Sequence, residues 1–121
     1  MAILTEGKYA ADFVVSEAAG SRSRDAITIA QSGSLEPGAV LGKVTATDKF
    51  VALDPAAATG EEVAAGLLRS PVDATAADIS AVAILRDAEV NGAELVWPDG
   101  ITAEQQATAI IELAALGIIV R

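Results

Sequence analysis

The sequence predicts a mainly β fold with one C-terminal helix. Three observations carry that expectation. Short runs of Val, Ile, Leu and Phe alternate with Gly, Pro, Asp and Asn breaks along most of the chain, the pattern of short strands joined by turns. Asn91-Gly92 is the strongest two-residue hairpin signal in the chain. One stretch, about residues 103–116, joins a helical apolar period to a start and a stop signal.

Residues 1 to about 35 differ from the rest of the chain. Met1 to Ala11 carries few large apolar side chains, and Asp12-Phe13-Val14-Val15-Ser16 is a short apolar burst. Glu17 to Arg24 is small and polar, a loop by composition. Asp25 to Ala30 alternates, with Ile27 and Ile29 on one face, and reads as a strand that Gln31-Ser32-Gly33-Ser34 breaks. A lone strand cannot satisfy its own backbone groups. It is either the edge strand of its own domain or an arm that orders by adding a strand to a partner's sheet.

Pro37-Gly38 opens the compact part. Residues 37–68 read as strand, tight turn, strand, polar loop, strand, with Val40, Val44, Phe50, Val51, Leu53, Val63, Leu67 and Leu68 at the apolar positions. Thr47-Asp48-Lys49 lies where the first two strands reverse. Gly42-Lys43 invites a phosphate-loop reading and fails it: Pro37 stands where the first Gly belongs and Val44 where Ser or Thr must follow. Lys43 is expected to face solvent. The acids of the loop from Asp54 to Glu62 lack the alternate spacing of a calcium loop. Gly66, inside the strand Val63–Leu68, marks a bulge or a close approach. Asp73, Thr75 and Asp78, in the loop Arg69–Asp78, suit turn and capping roles.

Ile79 to Glu89 is expected to be one strand with charge at its end, which Asn91-Gly92 turns into Ala93–Trp97 before Pro98-Asp99-Gly100 stops it. Thr102 and Gln105 then form a capping box. Ala107, Ile110, Ile111 and Ala114 give the helix its apolar stripe, and Gly117 ends it. Ile118-Ile119-Val120 is expected to dock as a terminal strand, since three exposed aliphatics there would invite aggregation.

The chain has 121 residues, enough for one domain and an arm. Hydrophobic residues make up 52% of it and aromatics 3%, so the core is built of small aliphatics and association would help stabilise it. A net charge of −9 repels nucleic acid and anionic membranes, and no basic patch with interleaved aromatics is present. With no Cys, disulfides and thiolate metal sites are excluded. Neither a signal-peptide pattern nor an apolar run long enough to span a membrane occurs, so a soluble protein made in the cytoplasm is expected.

Without His or Cys the chain can build no catalytic triad, no imidazole metal centre and no thiol nucleophile. Carboxylate pairs remain, at Glu61-Glu62 and at Asp87 with Glu89. Adjacent strand residues point to opposite faces, which separates the first pair. The second shares a face, at a strand end where acids are usually solvated. No catalytic residue, cofactor site or metal site is therefore expected, and the protein is not read as an enzyme. Trp97-Pro98 could anchor a partner or close a core of small side chains.

The run VLGKVTATDKFVALDPAA at 40–57, a Gly-containing loop, and EVAAGLL at 62–68 form an ordered series. It continues in Val82-Ala83-Ile84, Ala88-Glu89-Val90, Glu94-Leu95-Val96-Trp97-Pro98 and Gly117-Ile118-Ile119-Val120-Arg121. Across roughly residues 10–121 this series resembles the phage head decoration proteins, the group that includes the lambda capsid-stabilising protein. The resemblance implies a structural cement protein, made in the host cytoplasm and carried on the outer surface of the expanded phage head. It implies homotrimers at three-fold positions, bound to the major capsid protein and stabilising the shell against internal DNA pressure. It implies neither nucleic-acid nor membrane partners and no cofactor.

In domain terms the resemblance implies an extended, capsid-docking arm over residues 1–35 and a compact, small, irregular β-barrel-like domain over 36–121. Phe13, Val14, Val15, Ile27 and Ile29 would carry the arm's pairing, and Trp97 and Pro98 would lie at the subunit interface. The N-terminal segment containing Asp12 to Ala30 is longer than in the lambda relative. The alternative is a small β-barrel binding module for a peptide or a host-surface carbohydrate, using Trp97 and the acidic loop from Asp73 to Asp78.

Overall fold

The computed structural model describes residues 13–17 and 22–121. In chain order the elements are β1 (Val14–Glu17), β2 (Arg24–Ile29), β3 (Ser34–Leu35), β4 (Val40–Lys43), β5 (Phe50–Ala52), β6 (Ala64–Leu68), β7 (Val72–Asp73), β8 (Ile79–Ile84) and β9 (Ala88–Val90). A 3₁₀ turn (Gly92–Glu94), α1 (Ala103–Ala115) and β10 (Ile118–Val120) complete the chain. The fold is mainly β with one helix, as the sequence predicts, and its centre is a closed barrel in the order β2-β5-β4-β6-β8. β9 lies between β1 and β10 in a separate mixed sheet, antiparallel to β1 and parallel to β10. β3 and β7 form a short antiparallel pair.

The doublets of adjacent apolar residues explain this layout. Successive strand residues point to opposite faces, so two buried neighbours mark a strand covered on both sides. Val40-Leu41 on β4, Leu67-Leu68 on β6 and Ala83-Ile84 on β8 are such doublets. Leu41, Leu68 and Ala83 join Ile27, Ile29 and Phe50 in one core. Val40, Leu67 and Ile84 join Phe13, Val90, Leu113 and Ile118 in a second. The β4–β6–β8 wall thus belongs to both cores. The barrel fills one side of it, and α1 with the β1-β9-β10 sheet covers the other.

Turns behave as their residues dictate. Asp48 takes a left-handed conformation (φ 58°) where β4 reverses into β5, and Lys43 is exposed. β6 carries an extra residue at its pairing with β4, because Leu41 faces Gly66 while Gly42 faces Ala64. That β-bulge is the irregularity Gly66 signals. Gly42 has its own reason: a Cβ there would lie 2.2 Å from the Glu61 carbonyl oxygen, so the 54–62 loop closes directly onto β4 only because this position is glycine.

Three local expectations are corrected. Ile79–Glu89 is two strands, since Asp87 (φ 53°) turns the chain between β8 and β9. Asp is among the few residues that enter this region readily, which periodicity cannot show. Asn91-Gly92 makes no hairpin. The Asn91 Oδ1 caps the 3₁₀ turn by accepting from Ala93 N at 3.0 Å, and Gly92 N donates to the Arg121 carbonyl at 2.9 Å. Ala93–Trp97 contributes only a bridge, Val96 beside Ala39, in place of a full strand.

The third correction is the rotation of α1. Its capping box forms as predicted, with Gln105 N donating to Thr102 Oγ1 and Thr102 N to Gln105 Oε1. Gly117 (φ 86°) ends it, and β10 docks beside β9. However, the buried residues are Ala109 and Leu113, while Ala107, Ile111 and Ala114 are exposed. Two overlapping apolar stripes share this helix, and periodicity does not choose between them. Glu112 does, because its Oε1 accepts from Ala64 N at 3.0 Å and so turns that side of the helix toward β6.

Candidate interaction surfaces

Any chemistry of this surface must come from its polar side chains. Ser23 is fully buried and donates to the Glu17 carboxylate, which also accepts from Arg24. The Arg24 guanidinium holds the Glu17 carboxyl below its usual range, helped by Ser23 and opposed by partial burial. This cluster ties the end of β1 to the start of β2. Arg121 likewise lowers Glu89, and Lys49 with the Gln31 amide lowers Asp78. Asp73 is lowered by the hydroxyl and amide of Thr75, the turn role expected of it.

The carboxylate pairs serve the fold. Glu61 accepts from Thr59 Oγ1 at 2.6 Å, and Glu62 from Gly60 N at 2.8 Å. Asp87 faces Arg22 at 3.6 Å and Glu89 faces Arg121 at 2.8 Å. Among the described residues no group of three or more His, Cys, Asp and Glu side chains is placed to hold a metal ion.

The residues expected at interfaces are distributed over both cores. Phe13 is buried in the core beneath α1, where Val14 and Trp97 pack against it half-buried. Ile27 and Ile29 are buried in the barrel on β2. Pro98 is half-buried. Of these seven side chains only Val15 is exposed, at 56%, on the strand that edges its sheet.

A different surface carries exposed apolar area together with charge. A groove of about 400 Å³ separates α1 from the segment between β5 and β6. Leu53, Pro55, Val63 and Ala109 form its apolar lining, and Glu62, Glu104 and Glu112 its acidic lining. Val63 is 44% exposed, and Ile111, one turn along from the groove residue Thr108, is 70% exposed. No Lys or Arg occurs from residue 50 to 68 or from 87 to 120. Arg22, Arg24, Lys43, Lys49, Arg86 and Arg121 instead pair with Asp87, Glu17, Asp48, Asp78, Asp25 and Glu89, none of which lines the groove. Hydrophobic periodicity missed this surface by assigning Ile111 to the core. The two long cation-free stretches were its legible signal.

Compared with known proteins, the chain matches the family model described as bacteriophage lambda head decoration protein D over residues 3–118. No curated protein matches it.

Proposed function

The chain belongs to the bacteriophage lambda head decoration protein family, and from that premise we propose that it binds expanded heads as a homotrimer at three-fold positions and braces the shell against packaged DNA. The family assigns the coarse role: this is a structural decoration protein of the virion, on the outside of the phage head. Its match across residues 3–118 is the observation that carries the reading. No helix among the described residues is long and apolar enough to cross a membrane.

Bracing needs no reactive centre. Each bound copy adds interface that rupture must undo, and many copies act together because one capsomer is held at several points. The partner is the major capsid protein, and the N-terminal stretch 1–35 is its docking element. Two facts support that assignment. β1 runs along a sheet edge, where a foreign strand can pair. Val15 is exposed on it, while Phe13, Ile27 and Ile29 anchor the same stretch in the two cores. Trp97 and Pro98, both half-buried, suit a contact between subunits.

The test is sedimentation with undecorated expanded heads. The full chain is expected to saturate them at three copies per three-fold position and to leave unexpanded shells bare. Removal of residues 1–12, ahead of every described element, is expected to lower head affinity by at least tenfold with the fold intact. Equal binding to both shell forms, or no binding, would overturn the reading.

A further inference from the structure

The groove beside α1 has no part in the docking described above, yet it combines three properties. Its lining is partly apolar and includes the exposed Val63, while Ile111, also exposed, lies on α1 one turn along from the lining residue Thr108. Glu62, Glu104 and Glu112 line it, within stretches that contain no cation. Two of these carboxylates are already oriented, Glu62 by Gly60 N and Glu112 by Ala64 N, each through one oxygen, which leaves the other to accept. A carboxylate held in place by a backbone amide loses less rotamer freedom when a partner arrives. Low-dielectric walls also concentrate the field of a one-sign cleft.

We propose that this groove is a second contact to the head, taking a Lys- or Arg-bearing segment of the capsid surface whose aliphatic side chain packs on the apolar lining. The proposal rests on the decoration reading and adds a partner chemistry to it. Charge selects a basic partner over a second copy of this chain. A symmetric contact through the groove would set acid against acid. Six of the eight basic side chains of a neighbouring copy already face carboxylates of their own, and a seventh, Arg69, is half-buried with its Nε enclosed.

The experiment measures affinity for expanded heads across a series of salt concentrations, using the full chain and its variant Glu62→Gln/Glu104→Gln/Ile111→Ser. The variant is expected to keep its unfolding midpoint, to bind heads roughly tenfold more weakly, and to show a flatter salt dependence, because the groove charges no longer contribute. Should the triple variant fold poorly, Glu104→Lys alone, at an exposed position, is expected to weaken binding in the same direction. Unchanged affinity and unchanged salt dependence would overturn the groove contact while leaving decoration intact. If the unmodified chain itself does not bind, the decoration reading fails instead. A change in self-association with head affinity per trimer preserved would assign the groove to neighbouring copies and overturn the proposal.

Discussion

Glu17 shows how much a single side chain can determine in this protein. Its carboxylate accepts from Ser23 and Arg24, and Arg24 is the main reason its pKa lies below the usual value. A carboxyl whose pKa is depressed by folding holds its proton more weakly in the folded state than in the unfolded one. Its stabilisation is therefore fully present above the unfolded value, about 4.3, and is lost as the pH falls through the folded value. Glu17→Gln is expected to lower the denaturation midpoint at pH 7 and to make progressively less difference toward pH 3. Urea titrations of both proteins at several pH values check this, and a pH-independent difference would contradict it. The sequence showed Glu17 only as one member of a polar loop. Its partners lie six and seven residues away, a separation at which composition carries no pairing information. Gly42 teaches the same lesson. Beside Lys43 it invited a phosphate-loop test, whereas its reason is the Glu61 backbone, which approaches it from a distant part of the chain.

At the scale of elements, α1 separates what local sequence can and cannot determine. Its ends were legible, because the Thr102–Gln105 capping box and Gly117 act within one turn. Its rotation was not, because the choice between stripes is made by β6 through Glu112 and Ala64. The two faces therefore make opposite demands on stability. Leu113→Ala, at a fully buried site, is expected to cost about 2–5 kcal/mol, and Ile111→Ala, at an exposed one, to stay within about 0.5 kcal/mol. Chemical denaturation of both variants measures this, and similar losses would return Ile111 to the core. The strands were legible wherever a β-branched run lay between breakers. They failed where one residue decided: Asp87 splits what reads as a single strand, and Asn91 caps a turn in place of making a hairpin.

For the whole molecule, the wall shared by two cores lets small side chains build a domain. Aromatics are only 3% of the chain, so each core receives a single buried phenylalanine ring, Phe13 in one and Phe50 in the other, and consecutive aliphatics on β4, β6 and β8 fill the rest by burying both strand faces. Charge is arranged at the same scale. Ion pairs gather on the barrel and the β1-β9-β10 sheet, while the groove between α1 and the β5–β6 segment carries acid beside exposed apolar surface. The mainly β class and the decoration resemblance could be read from the order of several short motifs. Of the groove, only the cation-free stretches could be read; their juxtaposition could not, because it joins α1 to a loop some fifty residues earlier. A protein built in this way acts through what it grips. The most direct measure of that claim is the temperature at which DNA-filled heads release their genome, with and without saturating decoration. Decorated heads are expected to release at a higher temperature, rising with occupancy. Release at the same temperature in saturated and bare heads would contradict it.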